Sequence, residues 1–217
     1  MKTNLFNIFD PSTPIFNLEM NWMTTMMIIL FMPNFLWIFP NRMNWMLLKM
    51  FNKLNNEMLM LYKMKKIKSP AFMFITLFMF ILLNNFMSLF PYIFSSSKHM
   101  IFSMTLALPF WLFFIIYSMC KNMKNMIADL IPLNTPINLA PLMTIIETMS
   151  IIIRPLSLSI RLTANIIAGH LLMTLLNFNS FMIIIILIQM FLMMFELCVA
   201  LIQSYVFSIL SSLYSSE

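Results

Sequence analysis

The chain has 217 residues, of which 61% are hydrophobic and 9% charged, with a net charge of +6 and a mean hydropathy of +0.90. A soluble domain carries about 25% charged residues, so this chain has too little polar side chain to cover a water-facing globule, and its composition is that of an integral membrane protein. The basic residues are too few for the dense face that nucleic-acid binding needs, and Cys120 and Cys198, in separate apolar runs without metal-ligand spacing, read as buried packing residues and not as a disulfide framework.

The start, MKTNLFNIFDPST, has neither the basic start and apolar run of a secretory signal nor the Arg-rich character of a transit peptide. The first predicted span covers 22–39, close to the roughly 20 residues a crossing needs. Trp22 and Trp37 suit the membrane interfaces, and Pro33 can kink the helix. Over 44–66, Leu47, Met50, Phe51, Leu54, Met58 and Leu61 recur at three and four, with Lys49, Asn52, Lys53, Asn56 and Glu57 on the other side. That pattern predicts an amphipathic helix on the membrane surface, the alternative being a soluble helix packed on another subunit.

A helical hairpin is expected over 71–119. Its first arm, 71–90, is a clean apolar span stopped by Pro91; the loop YIFSSSKHM leads to the second, about 100–119. The segment CKNMKNMIADLIPLNTP then interrupts with charges and prolines. One long helical pattern runs over about 138–175, a break at NFNS follows, and another runs over about 181–213. Lys63, Lys65, Lys66 and Lys68 fall on the same side as Lys121 and Lys124 if the chain enters from the opposite face, and five crossings then leave the carboxyl terminus on the Lys-rich side.

The last two helices are too long for the bilayer. About 38 residues make a helix of about 57 Å, against a hydrocarbon core of about 30 Å. They are expected to form a steeply tilted hairpin, with Pro155 available to bend the first arm. The whole prediction is an all-α integral membrane protein, one membrane domain over 1–217, with about five membrane helices and one surface helix.

Between residues 130 and 216 the charged side chains are Glu147, Arg154, Arg161 and Glu196, with His170 able to join them. Ionisable groups inside spans are costly and persist where they meet a partner or a watery cavity. Glu147, Arg154 and Arg161 are spaced by seven and share a helix face with slow drift; Asn165, four beyond Arg161, joins it. Glu196 and Gln203 are again seven apart. Arg161 could pair with Glu196 as structural glue, Arg154 could snorkel to the interface, and Glu147 could be a surface pairing partner. His170 is about eight residues before the hinge and Glu196 about seventeen after it. Straight helices would separate their heights by about 13 Å, so a water chain between them is expected, not a direct bond.

Haem and copper centres need several His or Cys ligands, and a phosphate loop needs glycines. With two histidines, one of them the loop residue His99, and one glycine, no cofactor or metal is expected. A set of protonatable groups around a fixed cation in lipid is the inventory of a proton path.

The string SLSIRLTANIIAGHLL, followed by FELCVALIQSYVF and preceded by IIETMSIIIRPLSLSIRL, closely resembles subunit a (subunit 6) of F-type ATP synthases, in its mitochondrially encoded, invertebrate animal form. The resemblance covers essentially the whole chain, though residues 1–130 match in layout more than in motif. It implies a non-catalytic, proton-translocating stator subunit of the membrane sector, in the mitochondrial inner membrane. The amino terminus would lie in the intermembrane space and the carboxyl terminus in the matrix. It implies that Arg161 faces a rotating ring of c subunits. His170 and Glu196 would belong to the half-channel open to the intermembrane space, Glu147 to the matrix half-channel, and Asn165 and Gln203 to the region near Arg161. The implied partners are the c-ring, peripheral stalk subunit b, small membrane subunits, the lipid bilayer and protons. A proton-coupled secondary transporter would show internal repeats and broken helices, and none is visible; a purely structural subunit would tolerate a neutral residue at Arg161.

Overall fold

A computed structural model of the chain describes residues 10–13, 18–28, 41–62, 70–90, 93–131, 136–176 and 182–216. Its helices are α1 (Met23–Met27), α2 (Arg42–Tyr62), α3 (Pro70–Ser88), α4 (Met100–Asp129), α5 (Ala140–Leu176) and α6 (Met182–Ser216). Short 3-10 turns stand at Met20–Trp22, Ser96–Lys98 and Ile137–Leu139, and no strand occurs among the described residues. The chain is an all-α membrane protein. Among the described residues, four segments are long and apolar enough to cross a bilayer: Ala71–Ser88, Met100–Lys121, Ala140–Leu176 and Ile185–Leu213. They coincide with the four later predicted spans. Of the first, 22–39, everything from residue 29 onward lies outside the described residues, as does the hinge at 177–181.

Local chemistry accounts for the helix limits. Pro70 opens α3, where its missing N–H leaves no bond unmade. The second hairpin arm was expected to stop near 119, but α4 runs on to Asp129. Lys121 and Lys124 are exposed on this extension; lysines, unlike prolines, do not break a helix. Pro155 is accommodated inside α5, whose helix continues through it.

The spans meet at one core. Leu77 and Ile81 of α3, Ala107 of α4, Leu158 and Leu162 of α5 and Phe207 of α6 form a buried cluster. Around it the interfaces are lined by small hydroxyl residues: Ser103, Ser159, Ser204 and Ser208 are fully buried. Each returns its hydroxyl to the carbonyl three residues earlier, as in Ser204 to Leu201 at 2.8 Å and Ser208 to Tyr205 at 2.9 Å. A serine so satisfied adds little bulk and brings helix backbones close, which is how apolar helices gain packing energy in lipid.

The amphipathic α2 docks on this bundle. Met58 is buried against Ala71 and Ile75, with Phe51 and Ile209 packed around them. Its polar side reaches α6, where the Tyr205 hydroxyl donates to Glu57 Oε2 at 3.0 Å. So α2 packs on α3 and α6 of its own chain. The expected apolar stripe is only partly covered, because Met50 remains exposed.

The long hairpin is differently sided. Ile145, Ile146, Met149, Ile152 and Ile153 of α5 are exposed, as are Leu187, Met190, Phe191, Met194 and Phe195 of α6. Both cysteines, expected to be buried, are free and exposed. In a membrane helix an apolar residue need not be interior, since lipid or a neighbouring subunit receives it equally well.

Candidate functional site

On α5, Leu158, Ser159, Leu162 and Thr163 face the bundle and are buried. Arg161, Ala164 and Asn165 are exposed on the opposite side. Thus the sequence that makes α5 pack also turns Arg161 outward. Among the described residues Arg161 makes no ion pair, and the Arg161–Glu196 pairing is absent. Glu147 and Arg154, fourteen and seven residues earlier, are half-buried. A heptad drifts by about 20° per repeat on a straight helix, so the three share a flank but not one exposure.

Beside that flank lies a cavity of about 410 Å³. Asn165, Ala168 and Gly169 of α5 line one wall and Phe195, Glu196, Val199 and Gln203 of α6 another. Asn85 and Ser88 of α3 close the back. Asn165, Glu196 and Gln203 therefore come together, whereas Arg161, Glu147 and His170 do not line this space.

Gly169 is what lets Glu196 in. A Cβ at position 169 would lie 2.5 Å from Glu196 Oε1 and 2.6 Å from its Cδ. The estimate of about 13 Å between the heights of His170 and Glu196 is thereby corrected: Glu196 rests against the residue next to His170. Gly169 is seven residues from the end of α5 and Glu196 fourteen from the start of α6. The two counts differ by seven residues although the two residues are in contact, so counting from the hinge overstates the gap. Between His170 and Glu196 themselves there is no direct hydrogen bond among the described residues, as expected.

One end of the site comes from the first half of the chain. The imidazole of His170 hydrogen-bonds the Ser88 backbone, while its buried Nε2 has no hydrogen-bond partner. Lys98, at the end of the turn Ser96–Lys98, is buried within charge–charge reach of both His170 and Glu196. Burial pushes its ammonium down to about 8, with the Glu196 carboxylate opposing the fall. The turn is held by Ser96, whose hydroxyl donates to Asn84 Oδ1 at 3.3 Å, and Asn84 Nδ2 donates to the Phe80 carbonyl at 2.9 Å. Trp22, Phe94 and His99 pack as an aromatic group next to it, with ring centroids 5.3–5.8 Å apart.

The span over 71–90 is therefore not clean. Asn84 and Asn85 are 2% and 1% exposed inside it, and neither polar atom of the Asn85 side chain has a partner. Leaving such a group unmatched costs about 1–3 kcal/mol. Asn85, Ser88 and Lys98 escaped the reading of the sequence. The signal for the asparagines was present, since two adjacent amides in an otherwise apolar span are expensive there; for Lys98, a loop lysine among serines, there was none.

The sequence profile of the ATP synthase A chain family matches residues 18–216. Over its full length the chain is 86% identical to "ATP synthase F(0) complex subunit a" of Rhopalosiphum padi, which it covers completely. It is 45% identical to "ATP synthase subunit a" of Locusta migratoria and 47% identical to that of Drosophila melanogaster; in each case all of this chain aligns with 99% of the relative.

Proposed function

The chain belongs to the ATP synthase A chain family, and on that premise we propose that it is the proton-carrying stator subunit of the enzyme's membrane sector. The single observation that carries the reading is the placement of Arg161: an exposed cation on the outer flank of α5, one helical turn from Asn165 at the edge of the Glu196 cavity. The subunit performs no chemistry on nucleotides. It works with a rotating ring of c subunits on that flank, and with a peripheral stalk and small membrane subunits elsewhere. Its place is the mitochondrial inner membrane, with the carboxyl terminus on the Lys-rich, matrix side.

The mechanism follows from charge in a low dielectric. A ring carboxylic acid can face lipid only when neutral, because burying the ion is prohibitive. An arginine stays protonated, so Arg161 attracts the ring carboxylate as it arrives and favours release of its proton toward the matrix, past Glu147. The same cation repels a proton attempting to pass straight through. The cavity of Glu196, with His170 at its outer end and Asn165 and Gln203 along its walls, returns a proton from the intermembrane space. At about 30 Å³ per water, a cavity of about 410 Å³ has room for a file of water molecules. Asn85, Ser88 and Gln203 supply donors and acceptors along it. Each proton crosses by riding the ring, and a charge crossing 100 mV supplies about 2.3 kcal/mol.

Cross-linking tests the geometry. Ile160 is 41% exposed and Ala164 is exposed, on either side of Arg161. Ile160→Cys and Ala164→Cys, oxidised against cysteines placed along the outer helix of the ring subunit, should form disulfides with the ring and stop ATP-driven proton pumping. Cross-links only to other stator subunits would rule the ring off this flank.

A further inference from the structure

Lys98 has no part in that mechanism, yet it is placed unlike the other lysines described. It is 6% exposed, whereas Lys49, Lys53, Lys121 and Lys124 are exposed. A lysine is seldom buried without a counter-charge. Its backbone is fixed: the Lys98 N–H donates to the Ser95 carbonyl, at 3.4 Å, Ser95, Ser96 and Ser97 are all buried, and the turn packs on α3, α4 and α5.

The groups around it are few. The α5 side presents His170 and the α6 side Glu196. Across α3 there is no ionisable residue, only Asn84, Asn85 and Ser88; α4 brings His99 at its amino end and no other ionisable side chain before Tyr117. Glu196 is an anion within charge–charge reach of this cation. Glu196 in turn has no side chain opposite it at Gly169 to hold its carboxylate in place.

We propose that Lys98 is a positioning residue for Glu196: its ammonium, fixed by the turn, draws the carboxylate toward the outer end of the cavity and so sets the rate of proton exchange there. The proposal rests on reading that cavity as a proton half-channel. Because burial brings the ammonium down to about 8, Lys98 is charged below that pH and neutral above it. One pH unit either way changes the charged-to-neutral ratio tenfold. The hold on Glu196 is therefore nearly complete a unit below about 8 and nearly gone a unit above. Arginine in its place would keep the charge throughout, and methionine would never have it.

The test uses the complete complex, assembled with variant subunits and reconstituted in vesicles whose lumen corresponds to the intermembrane space. ATP-driven proton pumping is measured while luminal pH is varied from acid to alkaline at fixed outer pH and clamped potential. Wild type and Lys98→Arg should pump alike at acid luminal pH, with Lys98→Met roughly five-fold slower, an effect in the range of one charge-assisted contact. As luminal pH rises through about 8, wild type should fall to the Lys98→Met rate while Lys98→Arg does not. If Lys98→Met does not assemble, the same divergence between wild type and Lys98→Arg decides. Wild type and Lys98→Arg falling together, or Lys98→Met tracking wild type at every pH, would overturn the proposal. Glu196→Leu in the same vesicles separates the two claims. If it is inactive while the Lys98 variants track wild type, the half-channel stands and Lys98 has no role in it. If it pumps normally, the half-channel and the proposal both go.

Discussion

Glu196 of α6 lies against the bare Cα of Gly169 in α5, so closely that a Cβ there would come within 2.5 Å of its Oε1. The atoms displaced would be the end of a flexible side chain, so the fold can yield cheaply even though the carboxylate cannot stay where it is. Gly169→Ala should leave the abundance of the assembled complex near normal and reduce coupled proton flow several-fold. Gly169→Ala combined with Glu196→Asp, which withdraws the carboxylate by one methylene, should recover part of the loss. Proton flux and complex abundance measured in the same membranes check both; unchanged flux in Gly169→Ala would mean that the position of Glu196 is immaterial.

Glu196 and His170 act, on this account, through protons and not through packing. Glu196→Asp should retain partial flow and Glu196→Leu lose nearly all of it. His170→Glu should be milder than His170→Leu. Passive and ATP-driven flux in reconstituted complexes of equal abundance gives the comparison. Leucine variants that pump as well as the protonatable ones would move the half-channel elsewhere.

Asn85 separates function from stability. Its amide is 1% exposed and neither polar atom has a protein partner, so an apolar residue of similar size breaks no hydrogen bond within the protein. Asn85→Leu should therefore assemble at least as well as wild type, with an equal or higher temperature of thermal dissociation, and yet conduct protons more slowly. Loss of stability with unchanged conduction would assign the amide a structural role.

The hairpin was legible in the sequence because long apolar runs have one solution in lipid, and a single internal proline, Pro155, does not end the helix there. The predicted limits of about 138–175 and 181–213 fall close to α5 and α6. The spacing of seven put Glu196 and Gln203 on one face of α6, and both line the cavity, but their meeting with Asn165 across the hairpin is encoded in no spacing within either helix. What could not be read was contact between halves of the chain. Asn85 and Lys98 meet the hairpin only through the packing of α3 on α6 and of the Ser96–Lys98 turn on α5, and no periodicity encodes that. The closeness of Glu196 to Gly169 was missed for a related reason: it depends on one absent side chain, which counting residues along straight helices does not register. The exposed cysteines show the same limit, because apolar character in lipid does not distinguish interior from exterior.

The central claim is that Arg161 is the electrostatic barrier between two half-channels, and the most direct measurement is ATP synthesis driven by an imposed proton gradient in membranes carrying Arg161→Gln. Arg161 is exposed and makes no ion pair among the described residues, so its replacement breaks no ion pair there and the complex should assemble in normal amount. Synthesis should fall about a hundred-fold or more, the scale seen when a preorganised charge is taken from a low-dielectric site. Arg161→Lys should fail substantially as well, because a flexible ammonium does not reproduce the rigid fork and can lose its proton where an arginine does not. Near-normal synthesis by Arg161→Gln at normal abundance would contradict the account.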